Sequence, residues 1–180
     1  MLSHQLFSTL VKAHPDIYLQ RAQWDGEGNW ILELPKTATD EADEAVIEAF
    51  KQANKGALTP GFFPYQEESI LNLRRQKKLV IVDVGGMVQP EKQSILEACT
   101  HYLIISAKPE AIEPWHEFCA GEGGLSPVGV VHSVLEKKLE ILQRSPFLEL
   151  VCGPWVMGKT VGVPEVLREA IAQLCGLTEY

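Results

Sequence analysis

Leu79-Val80-Ile81-Val82-Asp83, followed by Gly85-Gly86, is the first of four similar runs in the chain. The others are Tyr102-Leu103-Ile104-Ile105-Ser106, Val128-Gly129-Val130-Val131-His132 and Phe147-Leu148-Glu149-Leu150-Val151-Cys152. Such runs lack the polar alternation of a half-exposed strand, so they read as strands buried on both faces of a mostly parallel sheet. Helical segments are expected between them. Pro90 opens one that reaches Ala98, and Pro109–Phe118 forms another. A closing helix over about Glu165–Cys175 aligns Leu167, Ile171 and Leu174. Strand and helix in alternation are the mark of βαβ units. Between the third and fourth strands, Leu135, Leu139 and Leu142 stand at helical spacing and predict a helix over Val134–Leu142, although Lys138–Gln143 also alternates.

Upstream of residue 57 the pattern differs. Leu6, Phe7, Leu10 and Val11 predict an amphipathic helix over residues 3–13, ended before Pro15. Ile17–Trp24 and Asn29–Leu34, joined by Asp25-Gly26-Glu27-Gly28, read as an antiparallel hairpin. Thr39 can cap a helix through Phe50, and its acidic start at Asp40, Glu41, Asp43 and Glu44 suits the helix dipole. Ala57-Leu58-Thr59-Pro60-Gly61 is a short strand or turn leading to a helix near Pro64–Gln76. The expected fold is therefore α/β. It has a mostly parallel sheet of about four buried strands with flanking helices, preceded by an N-terminal helix and antiparallel hairpin. One domain spans residues 1–180, with residues 1–56 as its N-terminal part and residues 57–180 as a Rossmann-like part.

Composition narrows the function. The 180 residues carry 16 Lys+Arg against 24 Asp+Glu, a net charge of −8, which argues against coating duplex nucleic acid with a basic face. A small anionic ligand held in one local pocket remains compatible with that balance. Cys99, Cys119, Cys152 and Cys175 form no CxxC pair and lie in apolar surroundings, so they read as reduced core residues. Met1-Leu2-Ser3-His4-Gln5 lacks the layout of a signal peptide, and no apolar run nears the ~20 residues of a membrane helix. A soluble, cytoplasmic protein without membrane association is expected.

Ligands of open parallel sheets bind beyond the carboxyl ends of the strands. Those ends carry Asp83-Val84-Gly85-Gly86, Ser106-Ala107-Lys108, His132-Ser133 and Cys152-Gly153. Asp83 can organise the rim or hold a metal. His132 can act as a general base or donor, and Lys108 supplies a cation for phosphate. The glycines let a ligand approach the backbone. No two histidines stand at i, i+3 or i, i+4, so no helix presents a pair of imidazole ligands. Trp115 and Phe118 read as core anchors. Gly153-Pro154-Trp155-Val156-Met157-Gly158-Lys159-Thr160 satisfies the phosphate-loop pattern GxxxxGK[ST]. Such a loop must open a helix at its Gly-Lys-Thr, whereas Val161-Gly162-Val163-Pro164 follows here, and Pro164 disfavours helical geometry at Val163.

Residues 57–106, with ALTPGFFPYQEESILNLRRQKKLVIVDVGG at their heart, resemble the small CRISPR-associated ring nucleases in layout: strand, Pro-containing turn, helix, and apolar strand ending in Asp. The resemblance implies a role in type III CRISPR defence, in which the protein binds or cleaves a cyclic oligoadenylate messenger. It further implies a homo-oligomer and, in some members, manganese. Asp83 matches that family's strand-end acid and Gly61 its turn glycine. The chain departs from the family at Gln76, Lys77 and Lys78, where a histidine would stand, and residues 107–180 have no counterpart in the minimal family. On these readings the enzyme would be a metal-assisted phosphodiesterase using manganese or magnesium. Asp83 would serve as metal ligand, Asp83 and His132 as catalytic residues, and Gly61, Gly85, Gly86, Ser106, Lys108 and Ser133 as ligand contacts. The succession LVIVD, YLIIS and VGVVH also resembles the latter part of a ParA-type ATPase without its phosphate loop. That resemblance implies a non-catalytic adaptor on a degenerate nucleotide-binding fold.

Overall fold

The computed structural model describes residues 2–23, 49, 60–155 and 162–177. The chain opens with α1 (Leu2–Leu10), whose Leu2, Leu6 and Leu10 recur every four residues and form one buried face. A turn leads to β1 (Ile17–Arg21). The hairpin arm expected over residues 29–34, the helix expected over 39–50 apart from Ala49, and residues 57–59 lie outside the described residues. α2 (Phe62–Arg74) then buries Phe63, Gln66 and Ile70 along one face. β2 (Leu79–Asp83) follows and pairs with β1 in parallel, from Ile17 beside Leu79 to Arg21 beside Asp83.

Pro90 starts a 3₁₀ turn (Pro90–Lys92) that continues into α3 (Gln93–Glu97). After β3 (His101–Ser106), Pro109 repeats the device: a 3₁₀ turn runs into α4 (Ile112–His116) and a π-helical turn (Glu117–Glu122). Proline suits these first positions because its ring presets φ and its missing N–H would have had no helical acceptor there. β4 (Ser126–Ser133), β5 (Lys138–Gln143), β6 (Leu148–Gly153) and α5 (Glu165–Leu174) complete the chain.

The fold is mixed α/β, as the sequence indicates. The second sheet has the order β3-β4-β6-β5, with β3, β4 and β6 parallel and β5 antiparallel at the edge. LVIVD is not hydrogen-bonded to this sheet; its partner is β1. The helix expected over Val134–Leu142 is corrected to a loop and strand β5. Leu135, Leu139 and Leu142 are 81%, 57% and 50% exposed, so their helical spacing has nothing to bury against. Pairing with β6 satisfies the backbone instead.

Both faces of the four-stranded sheet are covered at its centre, where β4 and β6 lie, while β5 at the edge is exposed. On one face Val131, Leu148, Leu150 and Cys152 pack with Leu2, Leu6 and Leu10 of α1 and with Leu167 and Ile171 of α5. Ile17, Leu79 and Ile81 join the same cluster, so it ties the two sheets together. On the other face Tyr102, Ile104 and Val130 meet Phe118, Cys119 and Leu125. A third cluster sets Phe63 and Ile70 of α2 against Ala22, Ile95 and Val82. Each fully buried Leu or Val contributes about 1.5–3 kcal/mol. Cys119 and Cys152 are buried and all four cysteines are free. Trp115 and Phe118 pack edge to face at 6.0 Å within the second cluster. α5 begins after Pro164, and Gly158-Lys159-Thr160 lie outside the described residues. No helix among the described residues is long and apolar enough to cross a membrane.

Candidate functional site

Parallel register sets Ser106 of β3 beside His132 of β4, and His132 beside Val151 of β6. Residues paired across strands share a face, and residues two apart on one strand share it too. Glu149, the partner of Val130, therefore projects from the face that carries His132. His132 Nε2 lies 2.7 Å from Glu149 Oε1, with side-chain exposures of 25% and 30%. An ionised carboxylate only accepts, so the ring nitrogen facing Glu149 donates as Nε2–H, and in the neutral ring Nδ1 is then the nitrogen without a hydrogen. The imidazole is thus oriented by a carboxylate and open to solvent in part, the arrangement that serves general-base or anion-donor chemistry.

Ser106 is committed to the turn beyond β3. Its Oγ accepts from the Lys108 N–H at 3.0 Å and lies 2.9 Å from the Lys108 carbonyl, to which it donates. The hydroxyl closes the loop that leads into Pro109, and Lys108 beyond it is exposed. Ser133 follows His132 on the same strand and so points to the opposite face, where its register partner is Cys152. The expected rim is thereby divided. Ser106, Lys108 and His132 share one strand end, while Ser133 faces the other way.

Asp83 stands on the other sheet. Its two carboxylate oxygens accept from Ser3 Oγ at 2.6 Å and Gln23 Nε2 at 2.5 Å, and the Gly85 N–H approaches at 3.3 Å. These contacts tie α1 and the segment after β1 to the end of β2. Gly85 sits at φ 77°, a left-handed conformation that glycine alone adopts readily. Gly86 and Gly61 face open space, and Gly61 precedes α2 at φ −86°. Neither backbone demands a glycine.

Manganese or magnesium at Asp83 would need several oxygen ligands around one point. Both carboxylate oxygens already accept protein hydrogens, and no group of three or more His, Cys, Asp or Glu side chains among the described residues converges for a metal. The described donor set does not fit a divalent cation.

Sequence reasoning missed Glu149. Its signal was a single charge inside Leu148-Glu149-Leu150-Val151, which a fully buried strand would not carry without a partner. It also missed His116, whose Nδ1 lies 2.6 Å from the Tyr102 hydroxyl and whose ring lies 5.5 Å from Phe147. A separate open cavity of about 540 Å³ is lined by Pro60, Phe63, Pro64, Glu91, Gln93, Ser94 and Glu97, and contains none of the expected site residues. No known family model, curated protein or solved structure matches the chain.

Proposed function

We propose that the protein binds a small phosphate-bearing nucleotide at the end of β3 and β4, with His132 and Lys108 as its polar contacts. Cyclic oligoadenylate is the ligand class implied by the resemblance to ring nucleases, and the proposal adopts both that ligand and the homo-oligomeric state. The single observation carrying it is the imidazole of His132, held by Glu149 at 2.7 Å beside the end of β3. Glu149 fixes the ring, and the exposed Lys108, two residues beyond the end of β3, supplies a cation for an anion approaching a chain of net charge −8. Phosphodiester cleavage in this reading rests on Nδ1 of His132 taking the proton of a ribose 2′-OH. That oxygen attacks the neighbouring phosphorus, the P–O5′ bond breaks, and the departing O5′ takes a proton from water. The products are a 2′,3′-cyclic phosphate and a 5′-OH, and no metal enters.

Titration of the protein with cyclic tetra-adenylate in EDTA, followed by calorimetry, tests the proposal. Saturable binding without added metal supports it, and no heat of binding at any concentration refutes it. A second reading, a non-catalytic interaction module, draws support from Asp83, whose carboxylate is spent on Ser3, Gln23 and Gly85. In that reading neither cyclic tetra-adenylate nor a nucleoside triphosphate binds.

A further inference from the structure

Among the described residues β5 is an edge strand with little cover. It ends the order β3-β4-β6-β5, and Leu139, Ile141 and Leu142 are 57%, 36% and 50% exposed. Open edges of this kind pair with other strands unless a charge, a proline or a bulge blocks them. The register shift of β5 falls between Ile141 and Gln143, which leaves Lys138–Ile141 as a regular edge. Lys138 would be such a block, but Glu140 answers it: Lys138 Nζ lies 2.7 Å from Glu140 Oε2, on one face of the strand. The edge therefore carries one positive and one negative residue, two positions apart, around an exposed leucine.

We propose that β5 pairs with β5 of a second copy of this chain, antiparallel and centred on Leu139, to make one continuous eight-stranded sheet. Symmetry selects the register. Antiparallel pairing of two identical edges requires a twofold axis normal to the sheet, and paired residues must share a face, so the axis passes beside a residue paired with its own copy. Centring on Lys138 sets two lysines opposite each other, and centring on Glu140 sets two glutamates together. Centring on Ile141 leaves Lys138 opposite Arg144. Centring on Leu139 pairs leucine with leucine, and sets each Lys138 opposite Glu140 of the second copy. Centring on Leu142 sets Glu140 opposite Arg144, but its axis falls on the register shift between Ile141 and Gln143, where the ladder is interrupted. Within the regular part of the strand, the Leu139 register alone turns the charge pattern into two cross-strand ion pairs. The inference rests on the homo-oligomer in the functional reading above and gives that assembly its interface.

Sedimentation velocity on the full chain over a concentration series tests it, using wild type, Lys138→Glu, Glu140→Lys and the double reversal. Wild type is expected to dimerise. Each single reversal creates two like-charge contacts and should weaken the dimer about tenfold or more, and the double reversal should restore it. These side chains are exposed, and circular dichroism of each variant checks that the fold is kept. A dimer indifferent to both single reversals, or a double reversal that stays monomeric, overturns the β5 pairing while leaving self-association standing. A wild type that remains monomeric overturns both.

Discussion

His132 Nε2 and Glu149 Oε1 lie 2.7 Å apart on neighbouring parallel strands, on the sheet face that also carries Tyr102, Ile104 and Val130. The hydrogen bond joins residues out of register by two positions, because His132 stands opposite Val151 and Glu149 opposite Val130. The carboxylate thus reaches forward to hold the ring at the strand end. Glu149→Gln keeps an acceptor oxygen in place but removes the charge. It is expected to weaken cyclic tetra-adenylate binding by no more than about threefold, whereas Glu149→Ala frees the ring and should cost about tenfold. Equal losses in both variants, measured by calorimetry, would mean that the charge and not the orientation matters.

Asp83 is expected to act on stability first. Its carboxylate gathers hydrogen bonds from Ser3, Gln23 and the Gly85 backbone, so it joins α1, the chain after β1 and the turn after β2. Hydrogen bonds to a charged acceptor contribute about 1.5–3 kcal/mol each. Asp83→Ala should lower the unfolding free energy in urea by roughly 2–4 kcal/mol. A change below about 0.5 kcal/mol would show that the three donors are satisfied by water at no cost.

Gly129 faces β6 so closely that a β-carbon would run into the carbonyl oxygen of Leu148. Backbone, unlike a long side chain, has nowhere to turn. Gly129→Ala should destabilise the protein by about 2 kcal/mol or more, through strain between β4 and β6. Gly86→Ala, at a position open to solvent, serves as the comparison and should change stability by less than about 0.5 kcal/mol. Matching urea midpoints for the two variants would disprove the close approach.

Alkaline pH should expose the buried thiols energetically. Burial pushes Cys99 up to about 11 despite Arg74, and burial with the neighbouring Cys99 pushes Cys119 up to about 11. In the unfolded chain both ionise near 9.0. Between about pH 9 and 11 the unfolded state therefore binds fewer protons than the folded state, and stability falls as pH rises. Below about pH 9 the contribution is complete. Urea midpoints measured across that window should decline, and the decline should flatten in Cys99→Ala/Cys119→Ala. An unchanged slope in the double variant would assign the decline to other groups.

The parallel strands were readable because burial on both faces leaves a run of apolar residues that few other structures produce. Val130 and Val131 are neighbours in sequence, face opposite sides and are both buried. Pairing was not readable in the same way. LVIVD looks like the other strands, yet it lies beside Ile17–Arg21, and nothing local in an apolar strand names its neighbour. At Leu135, Leu139 and Leu142 helical spacing competed with strand alternation. The decision came from β6, which follows after only residues 144–147 and pairs antiparallel with β5, a hairpin that helical spacing does not register. His132 was legible as a polar group ending a buried strand. Glu149 acquires meaning only once β6 lies beside β4, and Asp83 was misleading because its partners, Ser3 and Gln23, come from far along the chain.

The central claim, an anionic nucleotide held by His132 and Lys108, is met most directly by thermal unfolding with and without cyclic tetra-adenylate. Ligand at 100 times its dissociation constant adds about 2.7 kcal/mol to stability, a clear rise in Tm. The account expects that rise in the wild type and in Lys78→Glu, which makes the same charge change at an exposed position in the segment before β2. It expects the rise to vanish in His132→Ala and in Lys108→Glu. No rise in the wild type, or a full rise in both site variants, would contradict it.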